Sequence, residues 1–550
     1  MTTDRLPSVP AGVGLPPSGQ QLSDRRKAIV LGVLIISLLA IVLDNTVLNI
    51  ALKTISEPRA GLGASQSQLE WAINSYTLVF AGLLFTFGVI GDRIGRRRML
   101  MIGMALFGTA SLVSSYAQTP DELIWARAAM GLGGAAVMPQ TLSIITNIFD
   151  PEERARAIGI WASAVGAAIA VGPIAGGLLL DHFWWGSVFL INVPLTAVGV
   201  AAIAALVPES KSPSPGRVDY AGVLLSIAGL VLLVYGIISG GDAGSWTERG
   251  VLGPIAAGLA ILVLFCVHES RTVHPSLDVR LFRDPRLSSA SAAIGLNFFA
   301  MSGVYFFMSF YLQNVRGFNP LHAGLLTIPV AFGQLASASR SAPLVRRLGP
   351  KTVTAGGLLL LTAALIGYHS LSVATPIFVL ELIFLLQGVG MGIVMPTATE
   401  SVMSVVPRER GGAGSAITNT SRQVAVALGV AVLGSVLAQS YRTRLLPELA
   451  SLPAGARSAA TQSIAATQAA ASRLSGGRQA LLTAADRAFV HAMQVTTVVS
   501  ITIAIAGAVL IAVWMPGRRP AADGSAAEPP RPDQPPAPPA PSAVPALAKE

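Results

Sequence analysis

The chain has 550 residues, of which 52% are hydrophobic and only 12% charged, about half the charge of a soluble domain, and its mean hydropathy is +0.62. That composition excludes an ordinary water-soluble globule, and the lone Cys266 excludes an intrachain disulfide. The net charge of +10 comes from basic residues gathered between apolar runs, so it does not require nucleic acid as a partner.

A polar stretch at 1–27 reads as an N-terminal tail, and the first apolar run is too long for a cleaved signal peptide. Fourteen apolar runs follow, centred near residues 40, 79, 108, 133, 168, 197, 229, 259, 300, 332, 361, 390, 426 and 502. Each is long enough to span a bilayer as a helix, the element that satisfies its own backbone in hydrocarbon. The expected fold is an all-α polytopic membrane protein. It has a six-helix half at 28–208, two inserted helices at 217–269 and a second six-helix half at 287–515. An Ala/Ser/Gln-rich loop at 441–487 interrupts the last part, and a Pro/Ala-rich stretch at 516–550 reads as a disordered tail.

Apart from that long loop, the odd-numbered connections hold only Lys53, Arg59, Arg249 and Arg316. The even-numbered ones and the tails hold Arg25, Arg26 and Lys27, the cluster at 93–98, Arg154, Arg156, Arg346, Arg347, Lys351, Arg518 and Arg519. Basic residues stay on the cytoplasmic side. Both termini are therefore expected in the cytoplasm of a cell whose plasma (inner) membrane holds the protein.

The sequence also repeats. "GLGGAAVMP" at 131–139 pairs with "GVGMGIVMP" at 388–396, "PEER" at 151–154 with "PRER" at 407–410, and "RIGRR" at 93–97 with "RLGPK" at 347–351. A constant offset predicts two homologous halves, an architecture of transporters that bind substrate at mid-membrane.

Charge inside the apolar runs marks the candidate site. Asp44, Arg127, Glu400 and Arg422 lie within spans, where ionisable groups are expensive and usually functional. Asp44 with Arg127, and Glu400 with Arg422, are the expected pairs, one in each half, and for each a structural salt bridge is the competing explanation. Glu381 and Arg340 lie nearer the ends of their runs, where snorkelling accounts for them. In the ninth run Phe299, Phe306 and Phe310 share one helical face, either core packing or a wall for a flat or quaternary cation. "LSGGR" at 474–478 imitates an ATP-binding cassette signature, but the chain contains no phosphate-binding G-x-x-x-x-G-K-[ST]. Neither ATP nor any other cofactor or metal is expected. Enzyme motifs such as H-E-x-x-H and G-x-S-x-G are missing too.

Several of these stretches resemble the major facilitator superfamily. Gly88, Asp92, Arg93, Gly95, Arg96 and Arg97 fit its loop motif after the second helix. "LDNTVLNIAL" at 43–52, which contains Asn49, looks like the signature of the fourteen-helix drug:proton antiporters. "RAAMGLGGAA" at 127–136 resembles the fourth-helix arginine motif, and Gly172, Pro173, Gly176 and Gly177 fit the antiporter motif of the fifth helix. "HFWWGSVFLINVP" at 182–194 is similar to the branch exporting quaternary ammonium compounds and viologens. The resemblance implies a proton-coupled exporter of hydrophobic, cationic drugs and dyes, with the 91–98 loop as a conformational latch. The ionisable groups inside the spans, Asp44, Arg127, Glu400 and Arg422, are the residues expected to handle substrate and protons in it. Importers, carriers of one metabolite and a non-transporting sensor or scaffold are the alternatives.

Overall fold

The computed structural model describes residues 23–516, except 213–217, 273, 274, 276, 407–410, 450–456, 458, 459 and 473–476. Its fourteen spanning helices are α1 (Asp24–Ser56), α2 (Gln66–Ile94), α3 (Arg96–Ser115), α4 (Pro120–Ile148), α5 (Pro151–His182), α6 (Ser187–Leu206) and α7 (Tyr220–Ala243). They continue with α8 (Arg249–Arg271), α9 (Pro285–Val315), α10 (Pro320–Leu348), α11 (Pro350–His369), α12 (Ile377–Val405), α13 (Gly411–Leu445) and α14 (Arg478–Trp514). No strand occurs among the described residues. The protein is thus an all-α, multi-pass membrane protein. Local signals explain several starts. Ser65 and Gln68 form a capping box before α2, and Thr119 and Asn319 cap helices that open on Pro120 and Pro320.

The repeat reappears as packing. Gly131 of α4 lies against the Tyr76 backbone of α2, and Gly388 of α12 meets Val330 of α10 in the same way. Gly133 faces Phe107 and Gly103 of α3, while Gly390 faces Leu361 and Gly357 of α11. Small residues let these backbones approach closely in both halves. The hairpins before α3 and α11 turn on Gly95 (φ +118°) and Gly349 (φ +83°), conformations that side chains disfavour.

The inserted α7 and α8 pack on each other, and α7 rests on α2 and α13. α8 turns most of its surface outward, with Leu252, Leu259, Val263 and Leu264 exposed as a lipid-facing side requires. Both α13 and α14 run into the expected 441–487 loop, which also holds a short helix at Ile464–Ala471. The tail to residue 22, "PRER", most of "LSGGR", and the tail from 517 with Arg518 and Arg519 lie outside the described residues.

Each described hydrogen bond that joins the two six-helix halves lies at the end holding the odd-numbered connections. Ser309 Oγ and Gln313 Nε2 donate to Ile50 O at 3.3 and 2.9 Å, and Gln66 Nε2 donates to Gly434 O at 2.8 Å. Asn319 Nδ2 donates to Asp181 Oδ2 at 3.0 Å. This end is a roof. Below it the halves enclose a cavity.

Candidate transport cavity

The cavity holds about 370 Å³, within the range of small-molecule sites, and α1, α2, α4 and α5 face α9, α10, α12 and α13 across it. Its wall is apolar and ring-bearing, with Phe80, Phe298, Tyr305 and Phe384, and is dotted with amides such as Asn45, Asn49 and Gln334. Met138, Met308, Met391 and Met395 add flexible thioethers, which adapt to differently shaped partners.

Arg127 lines the cavity but is only 1% exposed. Its guanidinium is paired with Asp44, donates through Nε to Ala72 O at 3.2 Å, and stacks over the Tyr76 ring at 4.4 Å. Asp44, also 1% exposed, does not line the cavity. It sits behind Arg127, inside the first bundle. Asn192 of α6 donates to its second oxygen at 3.2 Å and to Ser111 Oγ at 3.2 Å. The expected first-half pair is therefore formed, and helices distant in sequence satisfy it on all sides. Sequence reasoning missed Tyr76, Asn192 and Ser111, since uncharged groups in an apolar run give no signal.

The second half differs from expectation. Arg422 lines the cavity, but Glu400 is exposed and forms no ion pair with it. Glu400 lies close to the far end of α12, on a face turned from the cavity, so the two charges never meet. Glu381 is exposed near the other end of α12, as is Arg340 on α10, whose Nη1 donates to Ala336 O at 3.2 Å. Phe299, Phe306 and Phe310 do not line the cavity. Phe306 and Phe310 pair at 5.8 Å, and Phe310 faces Phe489 of α14 at 6.3 Å, because that stripe of α9 points into its own bundle. Phe298, one position earlier, points inward instead. Among the residues expected at the cavity, Asn49 does line it.

A further buried acid went unnoticed in the sequence. Glu70 of α2 is 2% exposed and packs on Gly434 of α13, with Oε2 unpaired and Oε1 3.5 Å from Gln66 Nε2. Lying within the first turns of its helix, it resembles an ordinary N-terminal acid.

The fifth-helix motif does two things. Gly172 and Gly176 press on Thr46 and Val47 of α1, within one half, whereas Gly177 abuts Pro320 and Leu321 of α10 across the roof. Pro173 lines the cavity, and its carbonyl faces Gly324. In the 91–98 loop, Asp92 pairs with Arg96 Nε at 2.8 Å, and Arg96 Nη1 reaches Ser143 O at 3.4 Å. Glu209 accepts from Arg97 N at 3.1 Å and lies 3.7 Å from Arg98, and Ser212 N donates to Asp92 O at 3.1 Å. Gly88 faces Pro139 of α4. These contacts bind the loop to its own half. Nearby, Lys27 bridges Asp150 at 2.9 Å and Glu153 at 2.7 Å, joining α1 to the α4–α5 turn.

Two repeated bundles around a roofed, ring-lined mid-membrane cavity define a secondary-transporter architecture. Residues 34–430 match the Major Facilitator Superfamily, and the chain belongs to that family. The multidrug efflux pump LfrA of Mycolicibacterium smegmatis is 34% identical over 498 residues, spanning 89% of this chain and 96% of the pump. The methyl viologen resistance protein SmvA of Salmonella typhimurium is 31% identical over 473 residues, 84% of this chain and 93% of that protein. Among solved structures, a bacterial homologue of the human lysosomal transporter Spinster, inward-facing and unoccupied, shares the fold with a TM-score of 0.62. It is 17% identical, and the match covers 89% of this chain and 98% of that one.

Proposed function

We propose that this protein is a proton-coupled multidrug exporter that moves hydrophobic compounds, cationic ones among them, across the plasma membrane by alternating access. The observation that carries the reading is the adaptable ring- and thioether-lined cavity between two repeated halves, with Arg127 in its wall and the paired Asp44 directly behind. The relatives named for drug efflux and for methyl viologen resistance support it. The proton gradient supplies the energy, with no ATP and no cofactor. Both termini face the cytoplasm, on the distribution of basic residues, so the roof that joins the halves is extracytoplasmic.

Cations in such a cavity are held by rings and carbonyls, since no carboxylate lines it among the described residues. Asp44 then acts on protons rather than on substrate directly. The test is dye and drug uptake into inverted vesicles with and without an imposed pH gradient. Uptake that ignores the gradient sinks the antiport reading. The 91–98 loop serves as the inner latch, which closes when the halves swing together. Asp92→Asn is expected to keep expression and topology while reducing efflux to below about a tenth, by freeing Arg96 and the turn at Gly95. Wild-type efflux in Asp92→Asn leaves the loop as a topology anchor only.

A further inference from the structure

Arg422 is the point where the cavity and the cationic expectation part. It lies about a third of the way along α13 and lines the cavity, and it has no hydrogen-bond or ion-pair partner among the described residues. The Phe298 ring lies 5.7 Å from its guanidinium carbon, and Tyr76 is near enough to interact with it electrostatically. The other arginine at the cavity wall contrasts with it, since Arg127 is buried and neutralised by Asp44. Nor does Glu400 supply the missing charge, being exposed and out of ion-pair range. The cavity thus carries an uncompensated positive charge beside aromatic and thioether walls.

A guanidinium without a counter-charge inside a membrane span is costly and marks a functional group. Its planar fork matches a carboxylate in two parallel bonds, which an ammonium cannot copy. We infer that Arg422 is the anchor of an organic-anion subsite, so that the cavity accepts flat hydrophobic compounds bearing a carboxylate or phenolate, with the acid on Arg422 and the ring system against Phe298 and Tyr305. This inference rests on the cavity being the export site, and it names a substrate class beyond cationic drugs.

Three pyrene probes share one ring and differ in charge: 4-(pyren-1-yl)butanoate, its methyl ester and the matching trimethylammonium. Binding to the full-length protein in phosphatidylcholine nanodiscs is read by pyrene anisotropy, and uptake is measured in inverted vesicles. The butanoate is expected to bind wild type about tenfold or more tighter than the ester, the size of one charge-assisted bidentate contact. Arg422→Gln should erase that difference while changing ester binding less than about threefold, and Arg422→Lys should restore part of it. Equal binding of butanoate and ester to wild type overturns the proposal, and so does an equal loss for all three probes in Arg422→Gln, the mark of a packing role. Loss of the butanoate advantage in 150 mM chloride also overturns it, identifying an inorganic-anion site. Should Arg422→Gln fail to fold, the wild-type comparison and Arg422→Lys still decide. Should wild type bind selectively yet take up none of the probes, the export reading falls and the recognition site stands.

Discussion

Asp44→Asn is expected to abolish pH-driven efflux and to destabilise the protein. Removing the carboxylate leaves the Arg127 guanidinium buried without a counter-charge, a change that typically destabilises by about 3–5 kcal/mol. Arg127→Ala strands Asp44 in the same way, though Asn192 still donates to it. The double variant Asp44→Asn with Arg127→Gln replaces the pair by neutral hydrogen-bonding groups, so it should regain much of the lost thermal stability. Coupling should stay lost, because no group remains to carry the proton. The driving force in question is about 1.4 kcal/mol per pH unit, with about 2.3 kcal/mol more per charge at 100 mV. Melting in detergent reads the first effect, and ΔpH-driven uptake against dye equilibration reads the second. A double variant that is both stable and fully coupled would show that the pair is a structural brace. Glu70, buried where α2 meets α13, would then be the next acid to test.

Gly177→Val is expected to break the roof. A Cβ at this position would lie 2.6 Å from Pro320 O and 2.7 Å from Leu321 Cα, and those backbone atoms cannot rotate away. The two helices must separate, and overpacking of this kind typically costs about 1–3 kcal/mol. Applied to one conformer of a two-state equilibrium, that shifts populations about fivefold to 150-fold. Efflux should drop below about a tenth of the parent. In a Cys266→Ser background, an Asn49→Cys probe on the cavity wall should be labelled from the roofed side at least about tenfold faster. Gly176→Ala is the control, since its Cβ would meet Val47 Cγ1 at 2.9 Å within the first half and leave the roof alone. An unchanged labelling rate in Gly177→Val would mean that α5 and α10 do not gate the cavity.

Hydrophobic length and the spacing of repeated motifs were sufficient to give fourteen spans in two related halves. These features are legible because a lipid-facing helix must be apolar all along, and because each half repeats the same close helix crossings at Gly131 and Gly388. The Asp44–Arg127 pair was legible for a related reason: a charge in hydrocarbon must find its opposite, and the first half offers one of each. Only the tertiary structure decided which way each span is rotated. Rotation separates Phe298 at the cavity from Phe306 and Phe310 packed toward α14, and it turns Glu400 outward while Arg422 faces the substrate space. A linear pattern records that a residue lies at mid-span, but the face it presents is set by the glycine contacts and side-chain volumes of neighbouring helices. Those neighbours are distant in sequence. For the same reason Asn192, from a different helix, completes the Asp44 site although nothing in its own motif links it to that acid.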